Sequence, residues 1–439
     1  MIFDLLVKNG RLVTNDEIIH GSIGVNNGKI TAIITDASDV EARETIDANN
    51  DIVLPGAIDV DVHMRTPGLE HKEDYHTGTS AAAAGGVTTI LDMPNTNPPT
   101  TTVELLAEKI EMIKEKAVVD YGLHFQGARD NLEQLKKMEQ VVSAKFFMAG
   151  HETTPTTVSD VGILYDAFRV LAQRNIPVCV HAEHQQLINA RKKYFEGRND
   201  WKVYSEWRND SVCVTAVREA VSLAKETGCR LHICHVNTAK ELKVIQHAQE
   251  DGVQISVEIV PYHLFLTQDD CERLGSGSKV SPALKTLADQ QALWAAIDNN
   301  TIDNILISSE HTPHTKEDKS GSVWEATSGA PGIQETLPLL LKRGLPLPKI
   351  AKLCAENPAK FFGLKKKGKI QIGYDADLVI LNPEEKWTLK ETDLFSKCGW
   401  SNYVGWDLKG KPKLTLVRGT TVYKNGKIIK SNTGKFISP

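Results

Sequence analysis

Two periodicities divide the chain. From residue 58, apolar Ile58, Val60 and Val62 interleave with Asp59, Asp61 and His63. A period of two is a β-strand with unlike faces, and here one face carries acids and an imidazole. Similar strand-like runs recur at 87–94, 119–125, 144–150, 177–183, 229–236, 254–263 and 304–311. Between several of them lie stretches of helical period, such as TVELLAEKIEMIKEKA and LYDAFRVLAQRN. Eight such β-units in about 255 residues predict an α/β fold of the (β/α)8, or TIM, barrel type. An open doubly wound sheet is the rival, but it more often has a glycine-rich turn after its first strand, and none is seen.

The two ends are patterned differently. Residues 1–55 read as short strands with hairpin signals at Asn9-Gly10 and Asn27-Gly28, and the tail from about residue 366 reads alike, with Asn425-Gly426. Neither end alone makes a good sheet. The expectation is therefore one small β-domain assembled from 1–55 and 366–439, beside a barrel spanning 56–365.

Composition narrows the partners. With 41% hydrophobic and 24% charged residues, the 439-residue chain is an ordinary globular protein. A net charge of −5 argues against nucleic acid. No apolar run is long enough to span a bilayer, and the N-terminus lacks a signal-peptide layout. The seven cysteines show no CxxC spacing and read as reduced core residues, which points to the cytoplasm.

Catalytic groups of such a barrel sit at the C-terminal ends of its strands. Asp61 and His63 close the first strand, Lys145 lies on the fourth, His181 ends the fifth and His235 the sixth. Glu310, with His311 and His314, ends the eighth. Each has a plainer reading alone: a surface histidine, a snorkelling lysine, a helix-capping glutamate. Six such residues at five matching strand ends favour a metal site instead. The mixture suits a hydrolase that opens a cyclic amide. One or two divalent metals generate hydroxide at neutral pH and polarise a carbonyl. Neutral imidazoles bind the metal, one carboxylate tunes it, and a second carries the proton to the leaving nitrogen. A buried lysine joins only by losing its charge, which carbamylation achieves.

The stretches HKEDYHTGTSAAAAGGVTT, DMPNTNPP, AKFF, VHAEH, LHICHVNT, SEHTPHTKEDK and GYDADLVIL carry a resemblance over essentially the whole chain. It resembles the amidohydrolase superfamily and, within it, the dihydroorotases, particularly the type in multifunctional pyrimidine enzymes. The resemblance implies a binuclear zinc site, with Mn or Fe as alternatives. His63, carboxylated Lys145, His181 and His235 match family ligands, and Asp61 and Glu310 stand at two further ligand positions. Arg65, Asn95 and His314 match residues that hold a substrate carboxylate, and Glu310 takes the general acid/base role. A dimer or larger assembly is implied, and a loop near MAGHETTPTTVSD either closes over substrate or is an ordinary βα connection.

Departures accompany the likeness. The family has histidine at Asp61 and aspartate at Glu310; Thr66, Cys213, Tyr262, Ser281 and Lys285 also differ from it. A shorter ligand at 61 and a longer one at 310 can shift the first metal while keeping both contacts. The added negative charge makes the site a poorer Lewis acid, and a misplaced proton carrier costs rate. Three readings follow. The first is a dihydroorotase interconverting dihydroorotate and N-carbamoyl-aspartate. The second is a weak or inactive dihydroorotase-like subunit partnering another pyrimidine enzyme such as aspartate transcarbamoylase. The third is a related hydrolase of the allantoinase or hydantoinase type.

Overall fold

A computed structural model describes residues 2–14, 17–154 and 156–439. Eight parallel strands follow one another in chain order: β1 (Ala57–Val62), β2 (Val87–Asp92), β3 (Asp120–Gln126), β4 (Ser143–Phe147), β5 (Val178–His181), β6 (Leu231–Ile233), β7 (Ile255–Ile259) and β8 (Ile305–Ile307). The ring closes just past β8, where Val62 bridges His311 and the His63 amide donates to the His311 carbonyl at 2.9 Å. This is the (β/α)8 barrel expected from the pattern.

Alternation decides which side chains enter it. On β4, Ala144 and Phe146 join the layer between barrel and helices, where Phe146 lies 6.0 Å from the Phe168 ring. Lys145, between them, is turned the other way. Phe168 belongs to the helix Val161–Gln173, which Asp160 caps and which buries Leu164, Ala167, Phe168 and Leu171. Burial of each large apolar side chain there contributes roughly 2 kcal/mol.

Several strands are shorter than their apolar runs. The runs at 229–236 and 304–311 give strands of three residues each. Just beyond them His235 and Glu310 take left-handed backbone conformations, with φ of 40° and 44°, which turn the chain away from regular pairing. The run at 254–263 stops because Pro261 opens the short helix Pro261–Phe265.

Both termini build one nine-stranded sheet. Leu378–Leu381 pairs antiparallel with Ile52–Pro55, and Pro412–Val417 and Thr420–Lys424 extend the sheet on that side. Asn27-Gly28 and Asn425-Gly426 make the hairpin turns expected of them, between Ile18–Asn26 and Lys29–Ile34 and between Thr420–Lys424 and Lys427–Ile428. Asn9-Gly10 does not turn the chain. It lies inside the strand Phe3–Val13, where the register shifts between Val7 and Gly10 and Asn9 has φ 57°. The pair is a β-bulge, because a single left-handed residue absorbs one extra position without reversing direction. Parts of the C-terminal segment leave this sheet: Lys386–Thr388 pairs with Asp407–Lys409, and Phe436 bridges Tyr121 of the barrel. All seven cysteines are free and buried. Among the described residues, no helix is long and apolar enough to cross a membrane.

Candidate active site

Asp61, His63, Lys145, His181, His235 and Glu310 line one small cavity at the C-terminal end of the barrel. None of the six is more than 7% exposed. Phe147, His151, Thr153 and Ser281 complete part of the wall. Side chains from five strand ends thus meet in one enclosed space.

Their hydrogen bonds leave acceptors facing acceptors. His63 Nδ1 and Asn95 Oδ1 are 2.7 Å apart, so the ring gives its proton to the amide oxygen. Its Nε2 then points a lone pair at Asp61 Oδ1, 3.2 Å away. Among the described residues Asp61 Oδ1 has no hydrogen-bond donor, and Glu310 Oε2 likewise has none. His181 Nε2 is bonded to Glu183 Oε2 at 2.8 Å, which leaves Nδ1 facing His235 Nε2 at 3.2 Å. Glu310 Oε1 lies 3.8 Å from that same His235 nitrogen. A cation would satisfy the Asp61 and Glu310 oxygens that have no donor and the imidazole nitrogens that face them. Oxygens of Asp61 and Glu310 and three imidazole nitrogens form a donor set that fits divalent metal, and Lys145 would join it if carboxylated.

Lys145 stands between a thiol and a carboxylate. Its Nζ lies 2.8 Å from Cys234 Sγ and 3.5 Å from Asp61 Oδ2, over the Phe147 ring. Burial opposes its charge, but Cys234 and Asp61 raise its pKa above the ordinary lysine value. Burial likewise works against the Asp61 carboxylate, and Lys145 with His63 and His235 more than offsets it, holding Asp61 well below the usual range. Burial and the facing Asp61 and Glu258 carboxylates push Glu310 well above the usual range. Two carboxyls sharing one low-dielectric space drive each other's pKa values apart in this way, and a cation between them would let both ionise.

The backbone that presents these groups is strained. Arg65 (φ 59°), His235 and Glu310 all occupy the left-handed region without being glycine. Each costs on the order of 1 kcal/mol and persists because its surroundings fix it. Near Arg65, Asp92 Oδ1 accepts from the Met64 amide at 2.8 Å, while Asp92 Oδ2 takes Tyr75 at 2.8 Å and Lys109 at 2.6 Å.

The three residues matched to a substrate carboxylate lie outside the lining of the cavity. Arg65 is 1% exposed; its Nε donates to the Pro313 carbonyl at 3.2 Å and its Nη2 meets His314 Nε2 at 3.1 Å. Its Nη1 is buried with no acceptor among the described residues. Burial lowers the guanidinium to about 10, which leaves it charged at neutral pH. His314 also meets Lys72 Nζ at 3.3 Å. The Asn95 amide is occupied on both sides, by His63 and by the Thr153 carbonyl at 3.1 Å. Thr153 belongs to the Thr-rich segment after β4, of which Pro155 lies outside the described residues.

Sequence reasoning passed over Cys234, His151, Glu183 and the bond between Glu183 and Arg208. The His151 ring lies 5.7 Å from His181. Cys234 belongs with Asp61 and His235 to a cluster of donor atoms within 4.8 Å of one another. The segment WRND offered a signal, an arginine directly after Trp207 at the junction of two helices.

A barrel with such a donor set at its C-terminal end is built to hold divalent metal, an arrangement suited to hydrolysis. The sequence profile described as the amidohydrolase family matches residues 52–422, and the chain belongs to that family. It is similar over its whole length to the solved structure of L-hydantoinase (dihydropyrimidinase) from Arthrobacter aurescens, with a TM-score of 0.96, 35% identity and full coverage of both chains. The allantoinase of Rubrobacter xylanophilus is 35% identical over 100% of this chain and 98% of its own. The dihydroorotase of Methanosarcina mazei is 33% identical over 99% of this chain and 97% of its own. The likeness to dihydroorotases is therefore shared with two other cyclic-amide hydrolases and does not single one out.

Proposed function

We propose that this chain is a metal-dependent cyclic amidohydrolase whose ring substrate carries a carboxylate, with dihydroorotate and N-carbamoyl-aspartate as the reference pair. One observation carries the choice. Arg65 is a buried cation with a free Nη1 and no carboxylate at ion-pair distance among the described residues. A buried, unpaired guanidinium edge is costly, and an anionic substituent would satisfy it with charge-assisted hydrogen bonds.

Divalent metal held by Asp61, His63, carboxylated Lys145, His181, His235 and Glu310 would supply Lewis acidity and water that ionises near neutral pH. The chain's own groups do the rest. Arg65 and His314 hold the substituent and so fix which ring carbonyl enters the cavity. Asn95 keeps His63 in one tautomer. Glu310 accepts the proton of the attacking water as the C–O bond forms, and delivers it to the ring nitrogen as the C–N bond breaks. Its low exposure keeps that proton from bulk solvent.

A hydantoinase is the second reading, favoured by the full-length match to the L-hydantoinase structure. The test is turnover of dihydroorotate, N-carbamoyl-aspartate, hydantoin and allantoin by protein supplied with bicarbonate and Zn²⁺ or Mn²⁺, with Lys145→Ala as the blank. A kcat/KM for dihydroorotate about tenfold above that for hydantoin supports the first reading. The reverse order supports the second. A metal-loaded protein that opens no ring refutes both.

A further inference from the structure

Of the three imidazoles at the centre, only His181 has an ionised outer partner among the described residues. Its Nε2 contacts Glu183 Oε2 at 2.8 Å. Arg208 then grips Glu183 with both edges of its fork, Nε to Oε1 at 3.0 Å and Nη2 to Oε2 at 2.7 Å. Glu183 is fully buried and Arg208 is 2% exposed. The guanidinium lies against Tyr204 and Trp207, 5.5 and 5.6 Å from their ring centroids. Its backbone carbonyl accepts from Lys285 Nζ at 2.7 Å, so the arginine is fixed at both ends. By contrast, His63 has a neutral amide behind it, and His235 Nδ1 has no partner among the described residues.

We infer that Glu183 and Arg208 are positioning residues that lock His181 as the Nε2–H tautomer, so that its Nδ1 lone pair faces His235 and the centre of the cavity. The chemistry follows from the donor inventory. A carboxylate can only accept, so its contact with Nε2 requires the proton there and leaves Nδ1 bare. Arg208 keeps Glu183 ionised and stops it turning into the cavity to act as a ligand itself. A carboxylate behind an imidazole also makes the imidazole a stronger donor to metal. The three histidines are therefore graded, with His181 the most basic ligand and His235 the least supported. Metal on the His181 side is the last to leave on chelation.

The inference rests on the metal-dependent reading of the site, and the experiment separates the two. The protein labelled with ¹⁵N-histidine is examined first without metal, by long-range ¹H–¹⁵N correlation. The wild type should show His181 as a single Nε2–H tautomer; Glu183→Gln, which keeps an acceptor without the charge, should show a mixture or a shifted Nδ1 signal. Metal affinity is then measured by chelator competition. Glu183→Gln should bind the more tightly held ion roughly 10- to 100-fold more weakly. Arg208→Lys should lie between it and the wild type, and circular dichroism confirms that each variant is folded. Should Glu183→Gln fail to fold, Arg208→Lys alone carries the comparison. A folded variant with unchanged tautomer and unchanged affinity overturns the positioning role. A wild-type protein that binds no metal overturns the metal-dependent reading, while the tautomer measurement still decides whether Glu183 sets His181.

Discussion

His63 and Asn95 form a hydrogen bond of 2.7 Å, and the same amide holds the Thr153 carbonyl at 3.1 Å. One side chain thus ties a metal-ligand position to the segment that walls the cavity. Replacing it should act on the centre before it acts on substrate affinity. Asn95→Ala is expected to weaken metal binding roughly tenfold and to lower kcat, with little change in KM. Chelator competition together with steady-state kinetics checks this. A raised KM for dihydroorotate with unchanged metal affinity would show instead that Asn95 grips the substrate.

Arg65 should discriminate substrates by charge. Arg65→Gln removes the free guanidinium edge but keeps a donor near His314. The expected loss in kcat/KM for dihydroorotate is about a hundredfold, close to the roughly 3 kcal/mol of a strong charge-assisted contact. Hydantoin, without a carboxylate, should change by no more than about threefold. Equal losses on both substrates would remove the basis for assigning a carboxylate-bearing ring.

How legible these features were depended on their range along the chain. Alternation at 58–63 is local and set Asp61 and His63 on one face of a strand, whereas the apolar run around Lys145 gave a strand without saying which way the lysine points. Asn27-Gly28 and Asn9-Gly10 look alike locally, yet one turns the chain and the other bulges, because pairing with Gly21–Ile23 overrides the dipeptide. The occupied amide of Asn95 depends on Thr153, 58 residues away. Glu183 and Arg208 are 25 residues apart and meet only because the helix Lys202–Trp207 brings the arginine back over β5. Contacts of that range leave no periodic trace, so the outer ring of the site stayed hidden while its inner ring was readable.

Stability should depend on pH through Glu241, away from the cavity. Its carboxylate closes the capping box of the helix Ala239–Glu250, accepting from the Thr238 amide at 2.9 Å and the Thr238 hydroxyl at 2.8 Å. Burial outweighs those bonds and raises its pKa from 4.5 to about 7. The folded protein therefore binds this proton more tightly than the unfolded chain does. The associated stability is fully present below pH 4.5, is lost as pH rises toward 7, and changes no further above that. Its full extent is on the order of 3 kcal/mol. Glu241→Gln removes the titration, so the variant's melting temperature should rise relative to wild type between pH 5 and pH 7. A difference that stays constant with pH would refute the assignment.

Asp61 should set which metal the centre prefers. Oxygens are well represented near it, from its own carboxylate, from Glu310 and, once carboxylated, from Lys145, beside the nitrogens of His63 and His235. Oxygen donors favour harder ions such as Mn²⁺ relative to imidazole sites, although Zn²⁺ keeps the greater absolute affinity. Asp61→His exchanges an anionic oxygen for a neutral nitrogen beside Lys145 and so changes both hardness and charge. Because Asp61 is fully buried, the larger ring needs room, and pairing it with Glu310→Asp returns one methylene of space. Protein equilibrated with equimolar Zn²⁺ and Mn²⁺ and then analysed for bound metal gives the ratio directly. The double variant should shift that ratio toward zinc by about tenfold, or about 1.4 kcal/mol. An unchanged ratio would mean that Asp61 does not contact the metal, and the lone pair it directs at His63 would then need a proton rather than a cation.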